Sequence, residues 1–375
     1  MYKLLTHKNK LYRFYTFFIL CFNLINLNPA NAGVFRIKNR SYGNVTEQAV
    51  VTQIDSAFDT LETQINSKLT NFDTSDYLKG ISNSSSIASS GITEDHDYRF
   101  KYFYFGLSGG IAADMGSTSL TSLTNGGKID DFKGVNGNFQ LTIGMPAWYF
   151  KIPKWKFINP DEMKFYMGYA SQNFSQDNYK FAFNSFSFIA QQHFLTNYNF
   201  GWGLFNWNGL LVSTGIKYSQ LQVLYSQTFS ESSQQTISAP PITPDPNLTF
   251  NFTNTVSLGA KTNITTIPVD VSSSIKVLYL FNLHGGFGAD INMGSSQSII
   301  KAPGQLSGSE SSGLLGTFSG DIEFDLGDKA SPQVLDARYF FGGSMDFRVF
   351  SFGLQYTKAI TNNAQGISFQ LGAHF

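Results

Sequence analysis

The chain has a single cysteine, Cys21, and it falls inside an apolar N-terminal stretch. Once that stretch is removed on export no thiol is left, which excludes disulfides and thiolate metal sites. Charge is scarce, 14% of residues, and evenly split between 26 basic and 26 acidic side chains. No long-range field steers a charged partner, and no basic stripe or recognition motif supports nucleic-acid binding. The five histidines are scattered without zinc-ligand spacing. Beyond the N-terminus no apolar run approaches the length of a membrane helix. What the chain does have is aromatics, 16% of residues with 37 Phe, together with 34 Gly. Many aromatics, much Gly, Ser and Asn, and no hydrophobic block are what strands with one lipid-facing and one water-facing side produce.

The N-terminus reads as an export signal. Lys3, Lys8, Lys10 and Arg13 precede a mostly apolar Phe14 to Leu27, and Ala30-Asn31-Ala32 supplies small residues at the positions signal peptidase reads. Cleavage is expected after Ala32, leaving Gly33 first. The run is short for a retained anchor and is interrupted by Asn23 and Asn26. Lipidation at Cys21 is the competing route, but Leu20 stands where a small residue is usual.

The expected organisation is residues 1–32 as signal peptide, 33–100 as an N-terminal helix and Ser-rich linker, and 101–375 as a barrel. Within Thr46 to Phe72, Val50, Ile54, Phe58, Leu61, Ile65 and Leu69 step by fours and threes, giving one apolar stripe with Asp55, Asp59 and Glu62 on other faces. Such a stripe needs a partner: a barrel lumen that the helix plugs, a barrel end that it caps, or the same helix of another protomer, which leaves a homo-oligomer open. Ile81 to Gly91, rich in Ser, reads as a linker or second plug segment.

From Lys101 the period becomes two. Phe103, Phe105, Leu107 and Ile111 share a side, as do Phe139, Leu141, Ile143, Met145 and Ala147. Further strands are expected at Met163 to Ala170, Tyr179 to Ala190, Leu210 to Tyr218, Leu248 to Leu258, Ile267 to Phe281, Ile322 to Leu326, Leu335 to Met345 and Phe350 to Tyr356, with weaker ones at Leu221 to Thr228 and Leu283 to Ile291. A change of side between Phe183 and Phe186 predicts a bulge. Ile267 to Phe281 is longer than one crossing needs and is expected to project beyond the membrane. The final segment alternates most cleanly: Ile367, Phe369, Leu371, Ala373 and Phe375 against Ser368, Gln370, Gly372 and His374. Lipid cannot satisfy an open sheet edge, so the fold class is all-β, an antiparallel transmembrane β-barrel of about 12 to 14 strands with an N-terminal amphipathic helical extension. Its lumen would be lined by Gln140, Thr142, Gln220, Gln222 and Gln370.

Gly116 to Val135, the proline-bearing Ser230 to Asn247, and Gly294 to Ser319 are expected as long outer loops. Trp148-Tyr149-Phe150 with Trp155, and Trp202 with Trp207, suit interfacial girdles. Phe105 to Asp114 and Phe281 to Asp290 share an F-x-L-x-G-G-x-x-A-D pattern, as equivalent strands would, or as chance would give between two Gly-rich strands.

Catalytic signals are weak. Gly106-Leu107-Ser108-Gly109-Gly110 has nucleophile-elbow spacing, but the strand period runs straight through Ser108. Neither His193 nor His284 is tied to a serine. Glu94-Asp95-His96-Asp97 lacks the spacing of a known cation loop. No enzyme activity, cofactor or metal is expected.

Two resemblances add to this reading. The terminal strand resembles those of bacterial outer-membrane barrels, which implies that Phe369, Leu371 and Phe375 are read by the outer-membrane assembly machinery. Gln53-Ile54-Asp55 through Ile65-Asn66-Ser67-Lys68-Leu69, then Ser89-Ser90-Gly91 and Tyr104-Phe105-Gly106-Leu107, resemble the leptospiral laminin-binding surface-adhesin (lipo)protein family. That likeness implies surface exposure and attachment to extracellular-matrix and plasma proteins. The expectation is an exported protein of a Gram-negative outer membrane, held in the lipid bilayer, that binds extracellular or host ligands through its loops. The alternative is a porin-like channel for small polar or hydrophobic solutes, gated by the N-terminal helix.

Overall fold

The computed structural model describes residues 34–43, part of 51–66, 75–91, 93, 96, 101–116, 133–155, 158–195, 198–200, 204–236, 247–310, 317–325 and 327–375. The cleavage residues Ala30, Ala32 and Gly33 lie outside these, as do Ile54, Leu61, Ile65, Leu69 and Trp202. The elements are β1 (Val34–Gly43), α1 (Ser75–Ala88), β2 (Tyr104–Asp114), β3 (Gly134–Pro146), β4 (Met163–Gln176), β5 (Tyr179–His193), β6 (Tyr198–Phe200), β7 (Phe205–Thr236) and β8 (Asn247–Val277). They continue with β9 (Phe281–Lys301), β10 (Gly304–Glu310), β11 (Thr317–Asp325), β12 (Lys329–Ala330), β13 (Leu335–Phe347), β14 (Phe350–Ala359) and β15 (Ala364–His374).

The wall closes on itself. Antiparallel pairing runs from β2 through β3, β4, β5, β7, β8, β9, β13, β14 and β15, and β15 returns to β2 in unbroken register from Ala364↔Asp114 to His374↔Tyr104. At the end away from the C-terminus, β10 and β11 enter between β8 and β9, so the ring there has twelve strands among the described residues. β1 extends this end as a flange on β11. Pairing closes the ring, as hydrocarbon requires, with β3 and β4 joined only from Leu141↔Tyr169 to Pro146↔Lys164.

Sidedness follows the period-two pattern. Ser108, Gln140, Thr142, Ser187, Thr266 and Asp270 point inward and are buried. Ile111, Leu141, Phe287 and Ile367 point outward and are 68%, 65%, 69% and 62% exposed. Burying one such side chain away from water is worth about 1.5–3 kcal/mol. A whole wall of them on the outer side is tenable only against lipid. At the C-terminal end Trp148, Tyr149, Phe150, Trp155, Tyr198 and Phe350 stay exposed in an aromatic girdle, with Phe103 stacked on Tyr149 at 5.5 Å.

Three sequence expectations need correction. The Ile267 to Phe281 run is not one projecting strand: β8 ends at Val277, and Phe281 opens β9. The turn between them has Leu278 and Tyr279 at φ 53° and 60°. It uses apolar residues, so no Gly, Asn or Asp marks it. Second, no register shift interrupts β5 against β4 or β7, so the predicted bulge at Phe183–Phe186 is absent. Phe183 shares its side with buried Ser185, Ser187 and Ile189, and is 2% exposed. Third, Gly294 to Ser319 is largely strand rather than loop, comprising the end of β9, β10 and the start of β11. Its glycines serve packing: a Cβ at Gly308 would lie 1.9 Å from the Phe318 ring, which is itself buried.

Candidate functional site

The barrel lumen is occupied by a helix that propensity alone would not nominate. α1 reads Ser-Asp-Tyr-Leu-Lys-Gly-Ile-Ser-Asn-Ser-Ser-Ser-Ile-Ala. Ser and Asn rank low in helices because their side chains compete for the backbone, and so short a helix is marginal in water. Inside a polar tube the same residues become an advantage. Every residue from Gly80 to Ala88 is buried, and α1 touches β2, β3, β8, β9, β12, β14 and β15. Ile81 to Gly91, expected as a linker or second plug segment, comprises the buried second half of α1 and the turn that follows it.

The hydroxyls and amides of α1 meet the inward side chains one by one. Ser82 Oγ donates to Ser296 Oγ at 2.8 Å, and Thr262 is 2.9 Å from the same atom. Ser86 Oγ donates to Asn292 Oδ1 at 2.8 Å, which also receives Thr266 Oγ1 at 2.8 Å. Asn83 Nδ2 donates to Asp114 Oδ2 at 3.0 Å, and its Oδ1 accepts from the Gln333 N–H at 2.9 Å. Past the helix, Lys217 Nζ donates to the Ser89 carbonyl at 3.2 Å, and Gln140 bridges Thr93 at 2.5 Å and Ser187 at 2.9 Å. His96 stacks on His284 at 4.9 Å, and Ser274 Oγ donates to the His96 carbonyl at 3.1 Å. A net of hydrogen bonds thus runs from wall to wall, worth about 0.5–1.5 kcal/mol each between neutral groups and about 1.5–3 kcal/mol where Asp114 or Lys217 takes part.

Beside the plug lies a buried ion triad. Arg338 Nε donates to Asp290 Oδ2 at 2.7 Å, and Nη2 reaches Asp270 Oδ2 at 2.9 Å. All three side chains are at most 2% exposed. Asp290 Oδ2 also accepts from Ser86 at 3.4 Å. The internal sequence echo gains a meaning here: its two terminal residues, Asp114 and Asp290, both receive α1.

Described residues of the segment from α1 to β2 are found at both ends of the barrel. Asn83 meets Asp114 at the last residue of β2, while Lys101, Tyr102 and Phe103 donate backbone N–H groups to the Phe375 carbonyl at the opposite end, at 3.3, 2.7 and 3.2 Å. The described residues of β1 and of 51–66 lie at the end away from the C-terminus. There β1 pairs with β11, and the described helical residues between 51 and 66 pack on that sheet. Phe58 is 3% exposed and lies 6.0 Å from the Phe318 ring. Arg40 holds Asp55 at 3.2 Å, Asp59 at 2.9 Å and Glu62 at 3.0 Å. Glu62 and Asn66 accept the Ile37 and Phe35 N–H groups at 2.6 and 2.8 Å. The Tyr42 hydroxyl donates to Asp55 and is pushed up to about 12 by burial and by that carboxylate. The Tyr42 hydrogen bond, helped by Arg40 and opposed by burial, holds Asp55 below its ordinary range. Contacts to the three carboxylates outweigh the cost of burying Arg40 and raise its pKa.

Other residues singled out from sequence fall as follows. Phe369, Leu371 and Phe375 face outward on and beyond the last strand, 40%, 46% and 58% exposed. Gln140, Thr142 and Gln370 share the inward side. Gln220 and Gln222 do not line the lumen: the inward residues of β7 are Ser213, Lys217 and Ser219, so even-numbered neighbours face out, and Gln220 accepts from Asn184 at 3.2 Å. Ser108 lies in mid-strand in β2, with no turn. Of Glu94 to Asp97 only His96 is described. Among the described residues no group of three or more His, Cys, Asp or Glu could hold a metal. The triad was missed in the sequence, though lone charges between apolar neighbours, as in Val269-Asp270-Val271, were its available signal.

Residues 31–375 match the family described as Lsa36-like. The chain belongs to this leptospiral surface-protein family. It is an outer-membrane β-barrel protein. No curated protein matches it. Solved structures similar to it include the toluene transporter TbuX of Ralstonia pickettii, at 8% identity over 80% of this chain and 99% of that one, TM-score 0.23. Another is the translocator domain of autotransporter NalP from Neisseria meningitidis, at 8% identity, 89% and 100% coverage, TM-score 0.25. A third is Ail, the attachment invasion locus protein of Yersinia pestis, at 10% identity, 73% and 97% coverage, TM-score 0.15.

Proposed function

We propose that this member of the Lsa36-like family is a non-enzymatic surface-binding protein, anchored by its barrel and recognising extracellular ligands with the end away from its C-terminus. The carrying observation is the filled lumen: α1 is buried and hydrogen-bonded to the wall on several sides, which suits an anchor better than a conduit. The same end carries the β1 flange and the tips of β7 and β8. These strands are 32 and 31 residues long. A crossing takes only about 9–11 residues, so much of that hairpin is available beyond the bilayer. Recognition surfaces commonly sit on loops held by a rigid scaffold.

The test is binding of whole cells displaying the protein to immobilised extracellular-matrix and plasma proteins. Deleting residues 237–246 should abolish binding while heat-modifiable gel migration still reports a folded barrel. Binding unaffected by that deletion and by proteolytic trimming of the surface would sink the reading. The channel alternative draws support from the polar inner side, and planar-bilayer conductance of the intact protein separates the two.

A further inference from the structure

The barrel wall has a seam. β3 and β4 pair only from Leu141↔Tyr169 to Pro146↔Lys164, although β3 begins at Gly134 and β4 continues to Gln176. Beyond the last pair, residues 171–176 of β4 are exposed on both faces. The β4–β5–β7 sheet itself stays paired, so it leaves β3 as a unit.

Where it goes is given by two rings. Phe139 is on the outward side of β3, alternating with buried Asn138 and Gln140. Phe183 is on the inward side of β5. In a flat sheet those strands would be about 9.6 Å apart with β4 between them, and the two rings would lie on opposite faces. Instead they stack at 5.0 Å and 16°. The inner face of β5 and β7 therefore overlaps the outer face of β3 and β2. This overlap explains why apolar Phe181, Phe183 and Leu221 occupy the side that lower down carries Ser185, Ser187, Lys217 and Ser219: here that side does not see the lumen.

Between the two layers is an apolar cleft of 350 Å³, lined by Gly109, Gly137, Phe139, Phe183, Leu221 and Phe369 among others. Gly109 and Gly137 strip side chains from its floor. The cleft is within the range of small-molecule sites, about 300–1,000 Å³. It runs into a second apolar groove of 490 Å³ along β2 and β15, sharing Ile111 and Phe369. Ile111 and Phe369 also belong to the lipid-facing surface, so the cleft opens to hydrocarbon rather than to water.

We propose that this seam is a binding site for one acyl chain of a bilayer phospholipid, laid between the Phe139–Phe183 stack and Phe369. Continuity with the lipid-facing wall selects the occupant. A chain entering from the bilayer exchanges one apolar surrounding for another and fills space that is otherwise unpacked against the aromatic rings.

A Cβ at Gly137 would have only the Gly110 carbonyl nearby, at 3.7 Å. Gly137→Leu therefore fills the cleft without a backbone clash. The experiment is native mass spectrometry of the detergent-extracted barrel titrated with phospholipid. The wild type should retain one lipid, Gly137→Leu should reduce that occupancy at least about tenfold, and Gly285→Leu, on the outer face of β9, should not. Equal retention in Gly137→Leu, or displacement of phospholipid by equimolar free fatty acid, overturns the proposal. A second readout needs no cleft-filling variant. Leu221→Trp should be quenched by brominated acyl chains as strongly as Ile367→Trp, despite lying on the inner side of its strand. Protection from quenching overturns it.

Discussion

The guanidinium of Arg338 occupies the space that a side chain at Gly288 would need. A Cβ there would lie 2.0 Å from Asp270 Oδ1 and 2.9 Å from Arg338 Cζ. Asp270, Gly288 and Arg338 stand side by side on β8, β9 and β13, so the bare central residue is what lets the charges meet across three strands. Removing one partner from a buried pair typically costs about 3–5 kcal/mol, because the remaining charge is left uncompensated. Arg338→Met should destabilise the barrel by that order, read as a lower midpoint of heat-modifiable unfolding. Replacing all three members, with Asp270→Asn and Asp290→Asn added, should restore much of it. An unchanged midpoint in Arg338→Met would show that the triad does not hold the wall.

Period two along the strands made the barrel legible, because lipid outside and water inside impose opposite chemistry on alternate residues. Phe369, Leu371 and Ile111 face the way their parity requires. The lumen contents were not legible in the same way. A helix buried in a polar tube has no apolar stripe, so Ser82 to Ser86 lacks the signal that amphipathicity provides, whereas Phe58 displays it and packs on an outer sheet. The seam was half legible. The parity change at Phe183 was visible, but a bulge and a sheet overlap leave the same mark in sequence. β10 was hidden because Gly308 and its serine neighbours are poor strand formers that hold their place through Phe318 and the ladder to β8.

Plug and cap make opposite predictions for conductance. Deleting residues 75–91 removes the hydrogen-bonded filling of the lumen and should convert a silent protein into one with steady single-channel conductance in planar bilayers. Deleting residues 46–72 removes a segment whose described residues lie on the β1–β11 sheet, and should leave the bilayer silent. Conductance of equal size in the intact protein and in the 75–91 deletion would mean that ions already pass the helix.

The β1 flange should have a defined pH window. Asp55 has a depressed pKa in the folded protein, so its contribution is complete above the ordinary carboxylate value, about 3.9, and is lost as pH falls through the depressed one. Tyr42 is raised to about 12, so its contribution is complete below the ordinary tyrosine value, about 10, and is lost as pH rises through 12. Phenolate absorbance in an alkaline titration, wild type minus Tyr42→Phe, should show one group with a midpoint near 12. Below the carboxylate range, protease trimming of residues 44–74 should accelerate in the wild type, and Asp55→Asn should already be trimmed faster at neutral pH. A difference titration centred at the ordinary tyrosine value would mean that Tyr42 does not engage Asp55.

The C-terminal residue offers a way to separate closure from assembly. Its carbonyl accepts the Tyr102 N–H at 2.7 Å and its own N–H donates to the Phe103 carbonyl at 2.9 Å, so the backbone of Phe375 helps pin the start of β2 to the end of β15. Its ring, by contrast, is 58% exposed on the lipid side and meets the wall edge-on at Phe105, 6.3 Å between centroids. If the ring is what the outer-membrane assembly machinery reads, Phe375→Ala should fold normally from denaturant into detergent, keeping its heat-modifiable midpoint, yet reach the outer membrane of cells in much lower yield. Deleting Phe375 takes away the backbone groups as well and should lower both. Parallel losses in refolding and in cells for Phe375→Ala would assign the ring to stability, and normal yield in cells would remove it from assembly altogether.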